Sequence, residues 1–510
     1  MKNVSKVLLL GAAFTTLATT ANAADINFNS YGSSASFGFM QKEAAAFLGN
    51  ALTGPGCTTV NPAVVDSIDG KTELIVASGC NGGVDTIFFR YGSKSSYDGI
   101  NAFNNLDPDG VNAAYCATHL TSNCCSAPNT QRPMITSAAD TTLSCQDIHL
   151  AASDVAGSAF TQSSHGLKLG PMGGAQTDRV MPVFDTTTNM TDLAKTVVVP
   201  FGFFVNKSVQ VSKCDNNTTI AGNLCTTGTV ANDCGVLAGV ARPAADVTFC
   251  TGTTTTTCAA NTSNAGATCS ATAYAGECGV VTNSPALAAD CVTGPLDNVT
   301  REMIVNIFGS KVGSWTDFGS AYSVTGDATN KIVTCFRHAG SGSAATFDKV
   351  FYTGAKPLAM QTGASTSGTF IRYFNDGSSD EMKCINNNAA LTTPGAIGYA
   401  DADQSLAAFT NTVAVKYNGM WPSRNVIRNG MYDFFTNLHL YESATVATNS
   451  SYTSQHSINL LLIPFMGIAA NIPATKAAYW AVNGEMRINK STDLLYPGVK
   501  ANPLTQPQIP

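Results

Sequence analysis

Four short turns rich in small and hydroxyl-bearing residues carry the groups best suited to chemistry in this chain. They comprise residues 32–37, 93–99, 151–154 and 337–343. Serine hydroxyls and the unpaired backbone N–H groups at the start of a helix donate hydrogen bonds to anionic oxygens. The guanidinium of Arg337 matches two oxygens of one tetrahedral ion. Together these turns predict a site that binds an oxyanion.

Taken singly, each of these turns has a simpler interpretation. Most Gly/Ser turns are only turns. An arginine that follows a strand is more often solvated or salt-bridged, and Asp154 has the residue type of a helix cap. Their common chemistry and their order along the chain favour a single site.

The elements around these turns alternate between strand and helix patterns. Residues 73–77, 86–90, 196–205 and 331–336 have strand patterns, and residues 40–48, 301–308 and 344–352 have helix patterns. Such alternation is typical of the α/β class. Arg337 directly follows one predicted strand, and the turn that it begins leads into a predicted helix. The N-terminus of that helix can therefore face a ligand bound at this turn.

The N-terminus predicts export. Lys2 and Lys6 precede an apolar run at residues 7–18, and Ala21-Asn22-Ala23 forms a small-x-small cleavage site. Residues 1–23 therefore match a secretory signal peptide. The residue directly after the cleavage site, Ala24, is not a cysteine, which predicts no lipid anchor, and the apolar runs are too short to span a bilayer. We expect a periplasmic or secreted protein that does not span the membrane.

The cysteine count, the histidine spacing and the net charge restrict the kinds of site and partner expected for this protein. The 16 cysteines are an even number and all follow the signal peptide, which favours disulfides. No Cys-x-x-Cys pair occurs and the six histidines lack ligand spacing, so we expect no metal site and no cofactor. A net charge of −6 gives no electrostatic footprint for nucleic acid.

Two segments lose the α/β periodicity and are interpreted as insertions. Residues 209–296 contain eight cysteines among many Thr, Asn and Gly residues, and residues 101–146 contain four. A segment that buries little apolar surface needs cross-links for stability. We expect the eight cysteines to pair among themselves and the four to pair locally. Cys57 is expected to pair with Cys80, and Cys335 with Cys384.

The ordered motifs resemble the phosphate-binding proteins of bacterial high-affinity phosphate ABC transporters and their DING-type relatives. Residues 337–343 resemble the family's Arg-x-x-Gly-Ser-Gly-Thr motif, and residues 151–154 its Gly-Ala-Ser-Asp strand end. Its Pro-Gly-Ala-Ile-Gly-Tyr turn stands at residues 394–399. The sequence departs from the family at Ser36 and Ser343, which replace Thr, and at Tyr97 and Asp98, which replace small residues.

The resemblance implies an α/β fold of the two-lobed, type II periplasmic binding protein kind with Cys-rich insertions. Lobe one is expected to hold residues 24–197 and 402–510, and lobe two residues 198–401. The insertion at residues 209–296 then belongs to lobe two. The chain would cross between the lobes near Val197 and near Tyr399.

The resemblance also implies the ligand contacts. Hydroxyl and N–H donors are expected from three of the turns, with Asp154 accepting a proton from the ligand and Arg337 pairing with two of its oxygens. The full predicted set is Ser36, Phe37, Ser96, Asp154, Arg337, Ser341, Gly342 and Ser343. A carboxylate beside an anion is repelled unless the anion donates an O–H group, which phosphate carries at neutral pH and sulfate does not. Such a site rejects the analogue lacking the proton by roughly 10⁴ or more.

The function predicted from this resemblance is capture of inorganic phosphate or a similar oxyanion and its delivery to an ABC permease. The alternative is a surface or matrix protein that keeps the binding-protein fold and uses its Cys-rich insertion for interactions. An enzyme is not expected, because the sequence shows no nucleophile–base pair.

Overall fold

The structure is a computed structural model that describes most of the chain outside its two termini and the longest insertion. The described residues are 23–67, 70–93, 95–104, 125, 131–137, 140–160, 163–168, 174–180, 189–214, 256–257, 268–269, 291–352, 370–375, 377–386 and 394–487. The predicted signal peptide and most of residues 209–296 lie outside these ranges.

The chain forms both strands and helices, but they do not alternate as regularly as the sequence predicts. Between the helices Ser96–Phe103 and Arg301–Phe308, the described residues form strands and one short helical turn, with no α-helix among them. The strands β1 to β23 are, in order, Asp25–Gly32, Thr59–Val60, Val64–Val65, Thr72–Cys80, Asp85–Ser93, Gln131–Ser137, Asp140–Asp147, Leu150–Ser153, Ser163–Lys168, Gly174–Val180, Met190–Asn206, Val209–Cys214, Thr256–Thr257, Thr268–Cys269, Cys291–Pro295, Asn298–Val299, Tyr322–Val324, Val333–Arg337, Ile371–Asn375, Ala396–Asp401, Thr412–Tyr417, Phe435–Ser443 and Ala481–Val482. The α-helices α1 to α8 are Ser34–Gly49, Ser96–Phe103, Arg301–Phe308, Gly342–Phe347, Ser378–Ile385, Arg424–Arg428, Ala444–Thr448 and Thr453–Met466. Single turns of other helix types occur at Gly157–Ala159, Trp315–Phe318, Asp348–Tyr352, Ser450–Tyr452, Ala469–Asn471 and Asn483–Glu485.

The long strand β11 joins two halves of the main sheet. Residues 190–200 pair antiparallel with β22, and residues 201–206 pair with β20 and β21. On one side the order runs β11-β22-β8-β1-β5-β4-β2, here called the β1 half. On the other side it runs β11-β20-β18-β19-β9-β10, here called the β18 half. In the described part of the sheet, β11 is the strand that links the two.

The switch of partners falls between Pro200 and Phe201, close to the predicted crossover near Val197. Two strands from the predicted lobe one, β9 and β21, pair with β19 and with the later part of β11 respectively. The division into lobes at residues 197 and 402 stays a prediction.

The carboxyl ends of the parallel strands determine where a ligand could sit. β1 is parallel to β5 and β8, and β18 is parallel to β19 and β20. In open α/β sheets, ligands bind outside the carboxyl ends of such strands. Gly32 allows the close approach of β1 and β8, because a Cβ at its φ of +139° would lie 2.1 Å from the carbonyl oxygen of Ala152.

Aromatic packing around β11 explains why the predicted strand at residues 196–205 forms. All of these residues are buried, as expected for an apolar run that lies in the interior of a sheet. The ring of Phe203 stacks on Phe434 at 5.2 Å and contacts Phe347 at 6.3 Å. The core of the β18 half therefore contacts the helix that follows the 337–343 turn.

Helix limits agree with the sequence where caps are strong. α3 spans the predicted residues, with the Thr300 side chain capping its start and Gly309 at its end. α1 begins at Ser34, earlier than the predicted residue 40, because the Ser33 hydroxyl accepts the Ser36 N–H at 3.0 Å and starts the helix there.

Three disulfides are present among the described residues. Cys57 pairs with Cys80 and Cys335 with Cys384, which confirms both expected pairs. A third joins Cys125 to Cys145, a local pair within residues 101–146. Pairing among the eight cysteines of residues 209–296 lies outside the described residues. In the described part of the chain, no helix is long and apolar enough to cross a membrane.

The two ends of the 209–296 segment are held together by a small separate sheet. β12 pairs antiparallel with β15, with Cys214 opposite Cys291. β12 also pairs with β17 on its other side. The segment therefore leaves and re-enters the fold at adjacent backbone positions.

Candidate functional site

Strand ends from both halves of the sheet meet around one small cavity. Its lining comprises Ser34, Ser95, Ser96, Asp154, Arg337, Ser341, Gly342, Ser343 and Asp401. The β1 half contributes the residues that follow β1, β5 and β8. The β18 half contributes Arg337 and Asp401, which end β18 and β20, and the turn that begins α4. Six of the eight predicted site residues therefore come together.

Asp154 is held in a defined position on the β1 side of the cavity. Its Oδ2 accepts a hydrogen bond from the Ser96 hydroxyl at 2.9 Å, and its carbonyl accepts one from the Thr436 hydroxyl. Its Oδ1 is buried and has no hydrogen-bond partner among the described residues. Burial raises the pKa of Asp154, while hydrogen bonds from Ser33 and Ser96 and the charge of Arg337 oppose that rise. The carboxyl group is suited to share a proton with a ligand oxygen.

Arg337 lies opposite, on the β18 side, and is almost fully buried at 6% exposure. Its Nη1 donates to the Ser378 hydroxyl at 2.6 Å, and its backbone N–H donates to Tyr399 Oη at 3.4 Å. The buried carboxyl of Glu381 is also close enough for the charge of Arg337 to counteract the burial that raises its pKa. These contacts hold the guanidinium at the cavity wall, where it provides a fork of N–H donors.

The turn before α4 supplies clustered hydroxyl groups. Ser341 caps the helix, and its hydroxyl lies 2.7 Å from that of Ser343. The backbone of Gly342 approaches the β1 half so closely that a Cβ would lie 2.5 Å from Ser96 Oγ and 2.6 Å from Asp154 Cβ. A backbone hydrogen bond from Tyr97 N–H to the Gly340 carbonyl, at 3.1 Å, also joins the two sides. The halves are in direct contact around the site.

The cavity itself is small, with a volume of about 10 Å³. This is room for about one water-sized sphere. A tetrahedral oxyanion has five heavy atoms, so it fits only after the two halves separate slightly. The expected movement is a hinge opening that β11, the linking strand, would accommodate.

Ser36 and Phe37 are not brought to this lining. Both backbone N–H groups are used within the first turn of α1, donating to Ser33 Oγ at 3.0 Å and to the Ser33 carbonyl at 3.1 Å. The ring of Phe37 packs against Tyr91 at 5.6 Å. Ser34 lies at the cavity in their place.

The two departures from the family pattern after Ser96 do not reach the cavity lining. Asp98 is buried in a salt bridge with Arg132, at 3.1 Å, and Tyr97 packs edge-on against Phe160. The negative charge of Asp98 is therefore compensated by an arginine of β6, away from the cavity lining. His338 is likewise buried, and its Nδ1 accepts the Gly340 N–H at 3.2 Å, so it shapes the turn.

Gly342→Ala is expected to weaken phosphate binding by more than about tenfold, because a methyl group at this position collides with Ser96 and Asp154. Equilibrium dialysis with labelled phosphate measures the change. Gly484→Ala is the matched control, since a Cβ there meets nothing within 4 Å. Equal affinity in the two variants would show that the halves do not close onto each other at Gly342.

Comparison with known proteins finds a family model that is similar to part of this chain. Residues 229–448 match the model of the PBP superfamily domain, a range that begins inside the segment interpreted as an insertion. A comparison with curated proteins finds no match.

Several solved structures are distantly similar. An ABC-type phosphate transport receptor from Vibrio cholerae is 15% identical with a TM-score of 0.23, covering 33% of this chain and 59% of that one. PstS from Borrelia burgdorferi is 10% identical with a TM-score of 0.30, covering 85% and 92%. A phosphate binding protein from Stenotrophomonas maltophilia is 10% identical with a TM-score of 0.30, covering 82% and 79%. The chain thus spans less than two thirds of the Vibrio cholerae receptor, and likenesses this distant carry no argument about the ligand.

The family match and the mixed α/β sheet agree with the fold class expected from the sequence. Residues 229–448 are thus similar to the PBP superfamily domain, and the described chain has an α/β fold with a large mixed sheet and disulfides.

Proposed function

We propose that this protein captures inorganic phosphate or a similar protonated oxyanion in the cavity between the two halves. One observation supports this most: a buried carboxyl, Asp154, and a buried guanidinium, Arg337, line the same cavity as several serine hydroxyls. Arg337 supplies charge and paired donors, and Asp154 accepts the ligand's O–H group. The assignment of these residues to a ligand is part of the proposal.

We propose binding rather than catalysis as the role of the site. Among the described residues, the lining contains no histidine or lysine to act as base for a serine nucleophile. The Ser96 hydroxyl is already engaged by Asp154. The chemistry of the cavity lining matches recognition of an anion by a fixed set of donors and acceptors.

We further propose that the bound oxyanion is passed to an ABC permease outside the cytoplasm. The motifs at residues 151–154, 337–343 and 394–399 resemble those of the phosphate-binding proteins of ABC transporters. The predicted signal peptide at residues 1–23 agrees with that location. A closing movement of the two halves would present a distinct, ligand-loaded shape to the permease.

Equilibrium dialysis of the purified chain with labelled phosphate tests the proposal. We expect saturable binding of one phosphate, displaced by unlabelled phosphate or arsenate and not by sulfate. Displacement by sulfate as effective as that by phosphate would contradict the role of Asp154. An absence of phosphate binding would contradict the proposed function.

The 209–296 segment is expected to contribute nothing to the affinity for phosphate. Its ends, β12 and β15, form a sheet with β17, and none of these strands contributes to the cavity lining. Because Cys214 lies opposite Cys291, a short turn can join them after residues 215–290 are removed. We expect the shortened chain to bind phosphate within about threefold of the full chain.

A folded deletion variant that loses phosphate binding would show that the segment belongs to the site. It would then favour a larger phosphorylated ligand. Preserved binding would leave the segment available for contacts with other molecules, the alternative role considered from the sequence.

A further inference from the structure

A second carboxyl group, Asp401, lines the cavity and has no role in the site described so far. It is the last residue of β20 and pairs with Phe201 in β11 at the junction of the two halves. It lines the same cavity as Asp154 and Arg337. A site for an anion thus contains two carboxyl groups and one guanidinium.

The charges around Asp401 make this arrangement more acidic still. The charged groups that act on it or are acted on by it are Asp403 from the same loop, Asp154 after β8, Arg337 from β18, Lys476 after α8 and Glu381 from α5. Lys476 forms a salt bridge with Asp403, which also accepts a hydrogen bond from Trp480 Nε1 at 3.1 Å. The charge of Arg337 acts on Asp154, Asp401 and Glu381, while Lys476 also acts on Asp401 and His439 also acts on Asp154.

Electrostatic repulsion determines how many protons a site with two carboxyl groups needs when it binds an anion. A carboxyl oxygen and an oxyanion oxygen in contact repel each other unless one proton lies between them, whichever group owns it. Two carboxyl groups in contact with one ligand therefore require two protons. The dianion of phosphate brings one proton and the monoanion brings two.

We propose that Asp401 is a second proton-sharing ligand residue, so that the bound complex holds two protons, one at Asp154 and one at Asp401. This rests on the proposed function and names the ligand class more closely. The preferred ligand is a tetrahedral oxyanion in its doubly protonated, monoanionic form. At alkaline pH, where phosphate is mainly the dianion, binding must take up one proton.

The titration of the free site agrees with this geometry. Burial, followed by the charges of Asp403 and Asp154, raises the pKa of Asp401 to about 7, and Lys476 and Arg337 oppose the rise. Because its pKa is raised, Asp401 keeps its proton to a higher pH in the folded protein than an ordinary aspartic acid does. Below that pKa the proton for the second contact is already present. Above it the proton must come from solvent, so phosphate affinity falls as pH rises.

The test is the affinity and the proton uptake of the full chain as functions of pH. Calorimetric titration with inorganic phosphate in buffers of different ionisation enthalpy gives both quantities from about pH 6 to about pH 9. For the wild type we expect the dissociation constant to rise by close to tenfold per pH unit at the alkaline end. Proton uptake should approach one per phosphate there.

Asp401→Asn replaces the carboxyl by an amide that donates N–H to an oxygen without needing a proton. We expect this variant to show a flat pH profile and uptake near zero at the alkaline end, where the phosphate dianion already brings the one proton that the complex holds. It should also bind phosphate more tightly than the wild type at the alkaline end, a gain that damaged folding cannot imitate. Asp25→Asn is the charge-matched control, because Asp25 is exposed at the start of β1, at the opposite end of that strand from the site.

The outcomes separate the inference from the function on which it rests. A wild type that binds phosphate without proton uptake at the alkaline end would overturn the role of Asp401, whatever the variants do. The same conclusion follows if Asp401→Asn keeps the wild-type pH profile. A wild type that binds no phosphate at any pH would overturn the proposed function and this inference with it.

Discussion

Arg337→Ala is expected to remove most of the affinity for phosphate. Arg337 is buried and, among the described residues, it is the arginine on the cavity lining. Truncating one partner of a buried, hydrogen-bonded charge pair costs about 2–5 kcal/mol or more, which corresponds to a loss of roughly 30-fold to several thousand-fold. The loss is expected at the upper end, because the remaining carboxyl groups repel the anion.

Arg372→Ala is the matched control for this experiment. Arg372 lies in the neighbouring strand β19, and its Nη1 donates to Ser310 Oγ at 2.7 Å, outside the cavity lining. It removes the same charge from the same half of the sheet. A loss of affinity equal in the two variants would mean that net charge, and not the placement of Arg337, attracts the ligand.

Arg337→Lys separates charge from geometry. Lysine keeps the positive charge but lacks the planar fork that matches two oxygens. We expect dialysis to give an affinity between those of the wild type and Arg337→Ala. Wild-type affinity in the lysine variant would show that the bidentate contact is unnecessary.

The sequence predicts the site best where chemistry follows directly from local structure. Asp154, Arg337 and Ser341 each stand at or just beyond the end of a strand, and strand ends are recognisable from apolar runs that stop at small polar residues. Parallel pairing then brings such ends to one edge of a sheet. For this reason six of the predicted residues, from distant parts of the chain, line one cavity.

Small errors in a helix start have large consequences for a predicted contact. The sequence assigns the hydroxyl role near the first turn to Ser36, whereas Ser34 reaches the cavity. Two residues along a helix rotate a side chain by about 200°, which exchanges the site face for the core face. The start of α1 depends on the Ser33 cap, and no pattern in the apolar residues fixes it.

The surroundings of Asp401 and Asp98 are determined by tertiary contacts. Asp401 ends a buried apolar strand, and its place at the cavity follows from β20 lying between β11 and β18. Asp98 is compensated by Arg132, which lies in the segment interpreted as an insertion. Strand order and the partner of a buried charge are set by packing across the chain, which a single sequence does not reveal.

Asp154→Asn is expected to weaken phosphate binding and to relax the rejection of sulfate. In the wild type, a sulfate oxygen facing Asp154 Oδ1 brings no proton to share with that buried carboxyl group, and a site built around such a proton is expected to prefer the protonated ligand by roughly 10⁴ or more. The amide of asparagine removes the negative charge and donates an N–H group to that oxygen. The preference for phosphate over sulfate should therefore fall by about a hundredfold or more.

Competition dialysis measures this preference directly, with labelled phosphate and increasing sulfate. The amide should still accept the Ser96 hydroxyl through its oxygen, so local structure is retained. Asp25→Asn is a suitable control, because Asp25 is exposed at the start of β1, at the opposite end of that strand from the cavity. If Asp154→Asn rejects sulfate as strongly as the wild type, Asp154 is not the residue that accepts the ligand's proton. Asp401 then becomes the carboxyl group that gives the preference for phosphate over sulfate.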